Sequence, residues 1–194
     1  MEENKYYSVE IDVSITSCIS LDRNFASQID DHDVKFLPVK ITMTDEDDNT
    51  VAVVEVIVID SLIYNESEYM FELGDDLEAE FRDALEDFIG SAPFKKLQSD
   101  GYSNIAYISR LFVMPKYRHQ GLAMYLLKNL ESILEETIGF NIGCFLTFIC
   151  PLDYDGKTWT PNGNEEMREI MKNLFKSNGF KNIKGSEDLI KVLY

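Results

Sequence analysis

The chemistry of this chain is concentrated between Ile108 and Ala123. An apolar run closes with Leu111, Phe112 and Val113 and stops at Pro115. Arg118, His119 and Gln120 then lead into Gly121, Leu122, Ala123 and Met124. Leu122, Leu126, Leu127, Leu130, Ile133 and Leu134 recur at helical spacing beyond the turn, so the pattern predicts a strand, a tight turn and an amphipathic helix. A helix start leaves backbone N–H groups unbonded and carries a positive dipole end. Gly121 lets the backbone come close to a ligand, and Arg118 and His119 add donors. Together these features make an anion site of the size of a pyrophosphate.

The remaining elements must hold that turn in place. Residues 7–17 partly alternate, with Val9, Ile11, Val13 and Ile15 on one face, and read as a strand. Residues 36–44 and 50–60 are rich in β-branched side chains, and the acidic run Asp45 to Asn49 between them predicts a hairpin. Leu77, Phe81, Ala84, Leu85 and Phe88 predict an acidic amphipathic helix over 75–89, opened by Gly74, Asp75 and Asp76 and closed at Gly90. The signature strand covers 104–114, its helix 119–138, and a buried strand 143–150. A loop over 151–163 precedes a helix from about Asn164 to Ser177, and short strands near 180–184 and 188–194 end the chain. The order is that of an α+β (mixed α/β) domain, one unit over residues 1–194.

Composition narrows the classes. The chain has 194 residues and a net charge of −17. Residues 1–100 hold 25 acidic against 7 basic side chains, and residues 101–194 hold 10 against 11. Such a surface repels a phosphate backbone, so no nucleic acid is expected as a partner. Three cysteines (Cys18, Cys144, Cys150) and two histidines provide neither a disulfide framework nor a Cys/His zinc site. Asp45, Asp47 and Asn49 are spaced like the start of a calcium loop, but Thr50 and Val56 stand where Gly and Glu are needed, so a solvated turn is expected. His32 is read as a surface loop residue. No apolar stretch reaches membrane-span length, and the start shows no basic or apolar leader pattern. The expectation is a cytoplasmic protein with no membrane partner and no metal.

The run Leu111-Phe112-Val113, Pro115 and Arg118-His119-Gln120-Gly121-Leu122-Ala123 resembles the signature of the GNAT superfamily of acyl-CoA-dependent N-acyltransferases, in order and spacing. Residues 36–60 and 104–194, including the Gly179-Phe180 pair, look like the family core. The helix over 75–89 is an addition to its usual order. The resemblance implies a central, mostly antiparallel sheet of about six to seven strands flanked by helices. It also implies acetyl-CoA as cosubstrate, held by the backbone of Arg118, His119, Gln120, Gly121, Leu122, Ala123 and Met124. The backbone around Phe112 and Val113 would pair with the pantetheine arm, and the Leu111 N–H would polarise the thioester carbonyl. The reaction implied is direct acetyl transfer to a primary amine, which needs a base and a thiolate acid.

Two positions depart from the family pattern. Phe175 stands where the family usually has the Tyr that protonates the thiolate. Tyr107 and Ser109 stand where a Glu or His often serves as base. Tyr107 is therefore the candidate to orient the amine or a water. In the loop after the strand, Tyr154 is the candidate acid, and Tyr154 and Trp159 are candidates to line the acceptor site. The acidic first half favours a cationic acceptor, a small molecule or peptide. A homodimer is left open. The rival reading is an acyl-CoA-binding regulatory or interaction module with weak or lost catalysis. An acidic mimic of nucleic acid is a third reading, and it would have no use for the turn.

Overall fold

The computed structural model describes residues 7–13, 36–60, 79–100, 104–139, 141–154 and 158–193. The expectations for Gly74 to Asp76, for His32 and for residues 14–17 and 19–35 lie outside that set.

Strands β1 (Ser8–Val13), β2 (Phe36–Thr44), β3 (Thr50–Asp60), β4 (Asn104–Val113), β5 (Cys144–Thr147), β8 (Lys181–Asn182) and β9 (Leu189–Val192) form a seven-stranded sheet in the order β1-β2-β3-β4-β5-β9-β8. Its pairs are antiparallel except β4–β5, which is parallel. A parallel pair cannot be closed by a tight turn, and the connection here is helix α3 (Leu122–Ile138). Strands β6 (Leu152–Tyr154) and β7 (Trp159–Pro161) form a separate two-stranded ribbon where the sequence suggested only a loop.

Both faces of the sheet are covered. On one, alternate residues Val54, Val56 and Val58 of β3 and Ala106 and Ile108 of β4 pack under α3 and α4 (Glu165–Ser177). Leu122, Leu126, Leu127, Leu130 and Leu134 supply the buried stripe of α3. On the other, Ile59, Ile105, Tyr107, Cys144 and Leu146 lie under α1 (Ala79–Ile89) and α2 (Ala92–Asp100). Helix α1 is the acidic helix of the sequence reading. Ala84, Leu85 and Phe88 are buried in this second core, while Glu86 and Asp87 stay exposed. Helix α2 is new. Among its described residues the buried anchors are Phe94 and Leu97. Among the described residues, no helix is long and apolar enough to cross a membrane.

An aromatic contact links the two helices of the second core. The ring of Phe88, fully buried, meets Phe94 edge-on at 5.2 Å and 74° and so joins α1 to α2. Phe88→Ala is expected to lower unfolding stability by about 3–5 kcal/mol, the usual cost of emptying a buried aromatic site. Urea unfolding measures it; a loss under about 1 kcal/mol would mean that the two helices do not depend on this contact.

Candidate active site

The site begins with a break in a ladder. Strands β4 and β5 pair only through Ile105↔Cys144, Ala106↔Phe145 and Tyr107↔Leu146. Beyond that point β5 stays with β9, through Thr147↔Leu189, and leaves β4. Against β3, the pairing of β4 shifts between Glu55↔Arg110 and Val56↔Ile108, so Ser109 is the extra residue of a β-bulge. The Ser109 hydroxyl donates to the Glu55 carbonyl at 3.2 Å.

After the bulge, alternation decides which backbone groups are free. The Met114 N–H bonds the Val51 carbonyl at 2.9 Å, on the β3 side. In an antiparallel pair, the N–H and C=O of successive residues point to opposite sides. Those of Leu111 and Val113 therefore face away from β3, toward the gap left by β5. The Val113 carbonyl is taken by Arg118 Nε at 3.0 Å. The Leu111 N–H and C=O and the Val113 N–H remain on an open strand edge.

The cleft beside that edge is lined by Ser109, Arg110 and Leu111 of β4, by Thr147 and Cys150, and by Met171 and Phe175 of α4. Phe175, 1% exposed, packs edge-on against Phe180 at 5.0 Å. It lies in the cleft but brings no proton. Arg110 Nη1 donates to Glu55 Oε2 at 2.7 Å on the neighbouring strand. This charge pair at the cleft was not singled out in the sequence. Its signal was an acid and a base on two adjoining apolar strands, readable only once the register was known.

The strand then runs into the Gly121 turn. A single 3₁₀ turn, Pro115–Tyr117, follows β4, and the Arg118 N–H is spent on the Pro115 carbonyl at 3.3 Å. His119 (φ 61°) and Gly121 (φ 78°) are both left-handed, so the turn folds back on itself before α3 starts. Gly121 is the N-cap and no side chain caps the helix. The first N–H groups of α3 have no intrahelical acceptor and face solvent or a ligand. A Cβ built on Gly121 meets nothing within 4 Å. Arg118 does not reach over the turn: its guanidinium stacks on Phe112, 5.3 Å from the ring centre, while it caps Val113. Gln120 is held by the Tyr7 hydroxyl at 3.1 Å.

Asp45 links the β2–β3 hairpin to this turn. Its carboxylate accepts from the Asp47 and Asn49 N–H groups at 3.1 and 2.9 Å and from the Tyr117 hydroxyl. The group that resembled a calcium ligand is engaged by the hairpin turn's own donors and by Tyr117, just before the Gly121 turn. Among the described residues, no group of three or more His, Cys, Asp or Glu side chains is arranged to hold a metal.

Of the other sequence candidates, Tyr107 sits at the last paired position before the strands part. Its ring is 2% exposed, within the core under α1 and α2, and does not line the cleft. Tyr154 pairs with Trp159 through the backbone of the β6–β7 ribbon. The side chains of both lie outside the described set. Leu152, on the same ribbon, lines the cleft.

The model of the acetyltransferase (GNAT) family matches residues 40–148, from β2 to just past β5. The chain belongs to that family, whose members use acetyl-CoA as cosubstrate. Similar solved structures include arylalkylamine N-acetyltransferase 2 from Aedes aegypti, 17% identical over 80% of this chain and 73% of that one, with a TM-score of 0.49. Another is a Drosophila melanogaster polyamine N-acetyltransferase that forms N-acetylagmatine, 12% identical over 79% and 74%, with a TM-score of 0.43. No curated protein matches the chain significantly in sequence.

The Asp45 tether makes a pH prediction. Hydrogen bonding, from Tyr117 first, holds the carboxyl at about 2 against an ordinary 3.8, with desolvation working the other way. A depressed folded value stabilises above the unfolded value and is lost as pH falls through the folded one. The stability difference between wild type and Asp45→Asn should be flat above about pH 5 and shrink between about pH 4 and pH 2. Urea unfolding across that range checks it, and a difference unchanged to the acid end argues against the tether.

Proposed function

We propose that the chain transfers an acetyl group from acetyl-CoA to a primary amine of a cationic acceptor, by direct attack in a ternary complex. The observation that carries this reading is the continuity of one path: the open edge of β4 after the bulge leads directly into an uncapped, left-handed turn at the start of α3. The amides from His119 through Gln120, Gly121, Leu122 and Ala123 to Met124 hold the pyrophosphate. The Leu111 C=O and Val113 N–H pair with the pantetheine arm, which lies as an added strand beside β4. The Leu111 N–H, on the same edge, polarises the thioester carbonyl as charge develops on its oxygen. The acceptor's ammonium gives a proton to solvent water, the free amine attacks the carbonyl carbon and the C–S bond breaks; the new amide nitrogen releases its second proton to water, and coenzyme A leaves as a thiolate that takes one proton from Tyr154, itself reprotonated from solvent, or from water. The acidic first half of the chain draws the cationic acceptor.

A second reading has an observation of its own. Phe175 and the buried Tyr107 leave the cleft without the usual acid and base, which favours an acyl-CoA-binding module with weak or lost catalysis. A turnover assay with acetyl-CoA and a panel of amines separates the two. Turnover of a cationic amine, with apparent affinity falling as salt rises, is expected under the first reading. Coenzyme A binding without turnover of any amine supports the second.

Gly121 tests the cofactor seat. Gly121→Ala and Gly121→Glu share the strain of a left-handed φ, and neither Cβ meets the protein. They should therefore be about equally stable, while the glutamate, set against the pyrophosphate, should bind coenzyme A at least roughly tenfold more weakly than the alanine. Equal affinities by calorimetry would remove the pyrophosphate from this turn. If Tyr154 is the acid, Tyr154→Phe should lower turnover by about 10²-fold or more with coenzyme A affinity unchanged. Unaltered turnover would exclude it.

A further inference from the structure

The point at which β4 and β5 part is set by a side chain. The next pair in the ladder would be Ile108 with Thr147, following Tyr107↔Leu146. There the Thr147 hydroxyl donates to the Ile108 carbonyl at 2.9 Å. Thr147 and Ile108 are each 2% exposed, so the hydroxyl supplies a donor to a largely buried carbonyl. The contact lies opposite the bulge, where the Ser109 hydroxyl serves the Glu55 carbonyl on the other side. Thr147 also lines the cleft. A threonine suits the position twice over. Its β-branch fits a strand still paired to Leu189 of β9, and its hydroxyl stands in for the ladder at the last bonded carbonyl.

We infer that Thr147 is the positioning residue that fixes where the cofactor cleft opens, and so matches the edge of β4 to the pantetheine arm. The inference rests on the cofactor seat proposed above. The anion turn has its own anchors on the β2–β3 hairpin, through Met114 to Val51 and Tyr117 to Asp45. Loss of the hydroxyl leaves the Ile108 carbonyl without a donor, and the strands must zip further or part earlier to satisfy it. Either shift moves the edge relative to an unmoved turn. Binding of a ligand that spans both then suffers, while binding of one that fills only the turn does not.

The experiment uses calorimetry on the full chain with two probes, coenzyme A and its nucleotide half, ADP bearing the 3′-phosphate. Wild type binds both if the cofactor seat is correct; if it binds neither, that reading fails, and this one with it. With binding established, Thr147→Val should lose roughly tenfold in affinity for coenzyme A and less than about twofold for the nucleotide half. Thr147→Ser, which keeps the hydroxyl, should hold the wild-type ratio. A role confined to stability would lower the melting temperature and leave the ratio of the two affinities unchanged, which would overturn the assignment. Should the valine variant not fold, Thr147→Ala against Thr147→Ser makes the same comparison, with the ratio lost in the first and kept in the second.

Discussion

Strand β4 has to be an interior strand on one side and an edge on the other. On the β3 side its backbone is paired from Asn104 to Val113, through one bulge. On the β5 side pairing stops after Tyr107. An open edge inside a sheet is costly, because each N–H and C=O removed from water needs a partner. The structure meets that demand locally with side chains, Thr147 at the Ile108 carbonyl and Arg118 at Val113, while Ser109 serves the Glu55 carbonyl across the bulge on the β3 side. What is left over, at Leu111 and Val113, is a short row of donors and acceptors with no partner in the strand ladder. On the proposed reading the cofactor completes that row.

The turn after β4 is constrained in a similar way. Two of three successive positions are left-handed; Gly121 adopts that conformation freely, whereas His119 carries the strain. Contacts on either side oppose its relaxation. Tyr117 is held to the β2–β3 hairpin by Asp45, and Gln120 to the start of β1 by Tyr7. On the far side α3 is fixed by its leucine stripe against the sheet. The hairpin and β1 thus contribute to the site without lining the cleft. Their sequence shows only strand propensity and a polar turn, with no sign of a functional link.

How much could be read beforehand follows from the range of each interaction. Strands β2 and β3, α3, α4 and the Gly121 turn are written in periodicity and spacing over a few residues, and they formed where expected. The seven-stranded mixed sheet agrees with the fold that the resemblance implied. Helix α2 was missed because, among its described residues, Phe94 and Leu97 alone mark a buried face, and Gly90 with Ser91 reads as an exit. The β6–β7 ribbon was missed because strands of three residues show no alternation. The bulge, the parting of β4 from β5 and the Glu55–Arg110 pair could not be read at all. Each depends on which residues of distant strands lie opposite one another, and a one-residue change of register would abolish it.

The charge of the chain poses a last problem. On the proposed reading a protein of net charge −17 must hold an anionic cofactor and attract a cationic acceptor. The two demands are met at different distances. Attraction of an acceptor works through the summed field of exposed acids such as Glu86 and Asp87, and is screened over about 8–10 Å at ordinary salt. Holding the pyrophosphate would work through direct N–H contacts at the uncapped start of α3, where the helix dipole adds to them. Cationic side chains near the turn are turned elsewhere: Arg118 over Phe112, Lys116 over Tyr117 and Arg110 to Glu55. A free arginine over the turn would strengthen the anion site but also repel a cationic amine arriving at the adjoining cleft. On the proposed reading, backbone dipoles bind the phosphates without adding net charge, which leaves the cleft electrostatically open to a cationic acceptor.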